Sequence, residues 1–99
     1  MTYLDELAAE IQRRIPAEVL PDGDTHSLFR LYALLALVKG RSVDAADVHN
    51  AWAAWMNEYD PGHRSLKPFE ELDAETRAAD APFADAIREV AEWLERTPV

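Results

Sequence analysis

Apolar residues recur at helical spacing in four stretches of this chain, and no stretch shows sustained alternation at strand spacing. Leu4, Leu7, Ala8, Ile11 and Ile15 share one helix face behind Thr2, a plausible N-cap, with Asp5 and Glu6 placed where a helix dipole favours acid. Pro16 ends or bends this first helix, and PAEVLPDGD, with two prolines and a glycine, reads as a connection. Asp24 or Thr25 is placed to cap a second helix. Its apolar residues (Leu28, Phe29, Leu31, Tyr32, Leu34, Leu35, Leu37 and Val38) occupy almost the whole circumference. Such a helix is expected at the centre of the fold, buried on most sides, with Gly40 as its stop.

Ser42 is the expected cap of a third helix, on which Ala45, Val48, His49, Trp52, Trp55, Met56 and Tyr59 fall in a stripe about a third of the circumference wide. Asp60-Pro61-Gly62 stops it, His63 to Pro68 forms a loop, and Pro68 opens a short helical turn around Phe69. Asp73 caps the run AETRAADA. Pro82 interrupts that run and is compatible with a new helix capped by Asp80, whose core stripe is Phe83, Ile87, Val90, Ala91 and Leu94, with Trp93 at its edge. Thr97-Pro98-Val99 reads as a frayed end. The expected fold is all-α: a compact bundle of four main helices plus a short turn near Phe69, in one domain spanning residues 1–99.

Composition narrows the functional classes. Nineteen acidic against ten basic residues give a net charge of −9. With no clustered Lys/Arg surface, binding to a nucleic-acid backbone is not expected. The absence of cysteine excludes disulfides and thiolate metal sites and fits a reducing cytoplasm. The acidic N-terminus does not resemble a signal peptide. The longest apolar run, Leu28 to Val38, is interrupted by Arg30 and is too short to span a bilayer. A cytoplasmic protein without membrane or nucleic-acid partners is therefore expected.

No motif demands catalysis: the chain has no glycine-rich phosphate loop, no paired histidines at metal-ligand spacing and no nucleophile elbow. His63 is the only credible general base, and neither a metal nor another cofactor is expected. The informative stretch is HNAWAAWMNEYDPGHRSLKPF, residues 49–69, where cations and aromatics cluster in an otherwise acidic chain. One reading makes Trp52, Trp55, Met56 and Tyr59 core residues and His49 a buried histidine satisfied by a backbone carbonyl. The other makes the stretch a pocket, with His49, Trp52, Trp55, Tyr59, His63, Arg64 and Lys67 as ligand-binding residues. Planar rings stack bases, and Arg or Lys attracts phosphate.

The order of residues from Val48 to Val90 resembles the ryanodine-receptor repeat. His49-Asn50-Ala51-Trp52 matches that family's His-x-x-Trp helix. His63-Arg64-Ser65-Leu66-Lys67-Pro68-Phe69 matches its His-Pro-x-Leu-x-Pro-aromatic segment, with Arg64 where the family has proline. Leu72 follows as an apolar anchor, and Asp80 falls where the family has its aspartate. The resemblance implies a motif region over about residues 44–95, with two N-terminal helices (2–39) packed on it, and a non-enzymatic module with a nucleotide-like ligand. The style is also that of small stand-alone proteins of actinobacteria and their phages. The competing expectation is a protein-interaction module without a small ligand, acting on a host factor or as a homodimer through an apolar surface at the end of the third helix.

Overall fold

The structure, a computed structural model, describes residues 2–96; the expected frayed end at 97–99 lies outside the described residues. Among the described residues five α-helices form an all-α bundle: α1 (Tyr3–Arg13), α2 (His26–Val38), α3 (Ala45–Tyr59), a five-residue α4 (Ala74–Ala78) and α5 (Ala81–Arg96). Single 3₁₀ turns at Ala17–Val19, Gly40–Ser42 and Phe69–Glu71 punctuate the connections.

Local chemistry explains where the helices start. Thr2 and Asp5 form a reciprocal capping box: Asp5 donates its backbone N–H to Thr2 Oγ1 (3.3 Å), and Thr2 donates its own to Asp5 Oδ2 (3.1 Å). The other Asp5 oxygen accepts from Arg30 Nε at 2.8 Å and faces His26 Nε2 at 3.0 Å, so one carboxylate both starts α1 and ties it to α2. The Arg30 and Thr2 donors, Arg30 first, hold the Asp5 carboxyl well below the usual carboxylate range.

The third helix is capped by Asp44, not by Ser42 as expected. Asp44 is in the extended conformation an N-cap requires and exchanges 3.0 Å bonds with Asp47 in a second capping box. Ser42 instead closes the preceding turn, its hydroxyl donating to the Lys39 carbonyl at 2.6 Å. Gly40, at φ +58°, supplies the left-handed residue just past the end of α2. Pro82 does divide the C-terminal run, since α4 ends at Ala78 and α5 carries the proline in its first turn, where no intrahelical N–H is missed.

α2 is the hub: α1, α3 and α5 all pack against it. Leu28, Phe29, Tyr32, Ala33 and Ala36 are buried, with Phe29 and Tyr32 in edge-to-face contact at 5.3 Å. The expectation that α2 would be covered on most sides is corrected along one strip. Leu34, Leu37 and Val38 are 47%, 45% and 67% exposed, because the three neighbours leave that face uncovered. Ile11, Val48, Ile87 and Val90 complete the centre of the core, and buried alanines such as Ala33, Ala86 and Ala91 let the helices approach closely. Arg88 of α5 donates to the Val43 carbonyl at 2.6 Å and pins the entry of α3. No helix among the described residues is long and apolar enough to cross a membrane.

The two kinds of α2 position predict different costs. Phe29→Ala, at a core site that is 2% exposed, is expected to lose about 3–5 kcal/mol of unfolding free energy in urea titration. Leu34→Ala is expected to stay within about 0.5 kcal/mol.

Candidate functional site

The stretch from Tyr59 to Ala74 carries little regular structure, so its position depends on specific contacts. Its local bonds are turn bonds, His63 N–H to Asp60 O (3.0 Å) and Leu66 N–H to His63 O (3.1 Å). The bond that attaches it to the bundle comes from α3. His49, only 3% exposed, donates from Nε2 to the Lys67 carbonyl at 2.7 Å. The His49 ring also faces Phe69, with centroids 6.1 Å apart. The expected buried histidine satisfied by a backbone carbonyl is thus observed.

Three of the candidate residues come together around Trp52. His49 stacks on it at 5.6 Å between centroids, and His63 meets it edge-on at 5.1 Å. His63 Nδ1 accepts the Ser65 N–H at 3.0 Å, which commits that nitrogen and leaves only Nε2 for any other partner. Trp55 and Tyr59 do not join this group. They form a separate pair at 4.9 Å, Trp55 packing on the core and Tyr59 62% exposed. The physical reason is the rise along the helix: Tyr59 lies about two turns beyond Trp52, while Trp55 points about 60° away from Trp52 and towards the core.

A cleft of about 220 Å³ opens beside this cluster. Val19, Pro21, Leu28, Trp52 and Phe83 contribute apolar wall, and Tyr32, His49, Ser65, Thr76 and Asp80 contribute polar atoms. Ser65 and Thr76 also line an adjoining depression of about 200 Å³, which contains Arg64, Lys67 and Asp73. Thus Arg64 and Lys67 are separated from the stacked rings but lie next door to them, across two hydroxyls. They share the depression with the Asp73 carboxylate, which caps α4 by accepting the Thr76 N–H at 2.7 Å.

Asp80 departs from expectation in an informative way. Its side chain does not cap α5: only its backbone carbonyl bonds into that helix, accepting from Ala84 N–H at 3.1 Å. Among the described residues its carboxylate has no hydrogen-bond or ion-pair partner. Burial pushes this acid up to about 6 despite the nearby His49 imidazole, and burial followed by the Asp80 charge raises the Tyr32 phenol as well. Sequence reasoning placed Asp80 as a helix cap and as a family position, and did not include Tyr32, Ser65, Thr76 or Phe83 in a site. The one signal that could have pointed further is the proline two residues after Asp80, since it leaves the first turn with one donor fewer to cap. No group of three or more His, Cys, Asp or Glu among the described residues could hold a metal ion.

Fold and site together define an all-α bundle with a mainly apolar cleft, an unpaired carboxylate within it and a small basic depression at its edge. The chain belongs to the family described as a domain of unknown function, DUF7701, which matches residues 2–92. No curated protein and no solved structure matches it.

The raised acid predicts a pH signature. A carboxyl that is harder to ionise in the folded state destabilises the fold above about pH 6, and that penalty fades as pH falls towards the unfolded value of 3.8. Asp80→Asn is therefore expected to melt at a higher temperature than the parent at neutral pH. The difference should close as the pH is lowered to about 4, as measured by thermal denaturation across a pH series.

Proposed function

We propose that this chain is a non-catalytic, cytoplasmic binding module for a nucleotide-like ligand, with the base in the Trp52 cleft and the phosphate at Arg64 and Lys67. The observation that carries this reading is that the two spaces are neighbours, with Ser65 and Thr76 lining both. A mainly apolar, aromatic-walled compartment lies beside a compartment lined by two cations and the Asp73 carboxylate. At about 220 Å³ the cleft lies below the ~300–1,000 Å³ of sites that enclose a drug-sized ligand, so it suits a ring system rather than a whole nucleotide. Arg64 and Lys67 are both exposed and available to phosphate oxygens. The resemblance of His49–Trp52 and His63–Phe69 to the ryanodine-receptor repeat supports the same ligand class. A module of this kind acts by sensing or sequestering its ligand. The commitment of His63 Nδ1 to Ser65 supports a non-enzymatic role.

A second reading, a protein-interaction module, is favoured by a different surface from the one expected at the end of α3. Tyr3, Leu7, Leu37, Trp93 and Leu94 line a groove of about 710 Å³ between α1, α2 and α5, and the exposed Leu34 and Val38 adjoin Leu37 on the α2 face. A homodimer or a host protein could cover this apolar area.

A thermal-shift screen with nucleoside monophosphates, cyclic dinucleotides and adenosine-diphosphate-ribose separates the readings. A ligand at a hundred times its Kd adds about 2.7 kcal/mol, and each kcal/mol moves the midpoint of a domain this small by about 4–8 °C. The expected result is a shift that falls in Trp52→Leu and in the Arg64→Ala/Lys67→Ala double variant. A flat screen, with a dimer in sedimentation analysis that Leu37→Glu dissociates, would replace the ligand reading with the second.

A further inference from the structure

We propose that Asp80 reads a ligand edge carrying two adjacent N–H donors, and that the base held in the Trp52 cleft is therefore guanine. The inference rests on the nucleotide-binding reading and specifies its ligand.

Asp80 differs from the other structural aspartates in what its carboxylate lacks. Asp5, Asp44, Asp47 and Asp73 all spend their carboxylates on caps, and Asp5 and Asp47 also on cations. Among the described residues the Asp80 carboxylate has no hydrogen-bond or ion-pair partner, although it lines the same cleft as Leu28, Tyr32, Trp52 and Phe83. The carboxylate is half-buried and faces the cleft without a protein partner, so a donor entering the cleft meets an acceptor that no side chain occupies. No described side chain bonds to it: His49 acts on Asp80 only through its charge while its Nε2 is committed to the Lys67 carbonyl, and Arg64 and Lys67 line the next compartment.

The chemistry of the partner follows from the acceptor. An ionised carboxylate offers two oxygens in one plane and is matched best by two parallel N–H donors. Guanine presents N1–H beside its 2-amino group. Adenine and cytosine each present one amino group beside a ring nitrogen lone pair, which would face the second oxygen repulsively. Uracil presents one N–H between two carbonyls. A guanidinium offers the same pair of donors, but its charge would be opposed by Arg64 and Lys67 at the far end of the site. The phosphate of a guanine nucleotide meets those cations favourably.

The test is isothermal titration of the full chain, at neutral pH, with guanosine, inosine and adenosine 5′-monophosphates and with agmatine, repeated on Asp80→Asn. Asparagine keeps the shape and removes the charge, so this variant folds if the parent does. The expected result is guanosine monophosphate binding tighter than adenosine monophosphate by about tenfold or more. Inosine monophosphate, which lacks the 2-amino donor, should fall between them, and the preference should disappear in Asp80→Asn. Equal binding of all three monophosphates, unchanged in Asp80→Asn but lost in Trp52→Leu, overturns the guanine assignment and leaves the cleft reading standing. Binding of agmatine without binding of guanosine monophosphate also overturns it, in favour of a guanidinium ligand. If no probe binds, the guanine assignment and the nucleotide reading fall together.

Discussion

The bond from His49 to the Lys67 carbonyl decides where the candidate site is. The segment between α3 and α4 is tied together only by short-range turns, and an untethered stretch of that length would pay a large conformational entropy to adopt one shape. A buried imidazole donor answers the Lys67 carbonyl at 2.7 Å, and the loop is held against α3 at that point. Phe69 against the same ring and the buried Leu72 secure the return. With the loop fixed, His63 reaches the edge of Trp52, Ser65 lines the cleft, and Arg64 and Lys67 flank it. One histidine thus sets the register between a rigid helix and a weakly structured loop.

Carboxylates organise much of the rest, and their environments divide them by task. Asp5 is surrounded by donors and strongly prefers to be ionised, so it serves as a fixed junction between α1 and α2. Asp44 and Asp47 cap each other's turn, and Lys39 adds a 3.0 Å ion pair to Asp47. Asp80 is the opposite case, an acid pushed towards its neutral form by the apolar groups around it. Groups of one chemical type pushed in opposite directions often mark the boundary between scaffold and site.

How much of this was legible in the sequence depends on how local each determinant is. The helix period marked the four long helices, and Gly40, Asp73 and Pro82 marked boundaries, because each acts through its own backbone. The Ser42 cap failed because Ser42 and Asp44 are both capping residues two positions apart, and only backbone conformation decides between them. The exposed Leu34, Leu37 and Val38 were illegible because hydrophobicity says that a side chain gains by burial, not that a neighbour exists to bury it. The site was half legible. His49, Trp52 and His63 share one loop–helix contact and were read from one continuous stretch. Tyr32, Thr76 and Asp80 come from elsewhere in the chain and meet it only through the tertiary fold.

The position of α5 has a consequence for how the chain assembles. That helix packs on α1, α2 and α3, and its Arg88 pins the start of α3, yet it is the last of the five in sequence. As the chain leaves the ribosome, the tie between α1 and α2 joins residues 25 positions apart and can form early. The faces around Ile11, Phe29 and Val48 stay uncovered until Ile87 and Val90 emerge to close them. Between the emergence of α2 and that of α5 the apolar face of α2 therefore lacks part of its cover, and the acidic residues spread along the chain supply repulsion between neighbouring nascent chains.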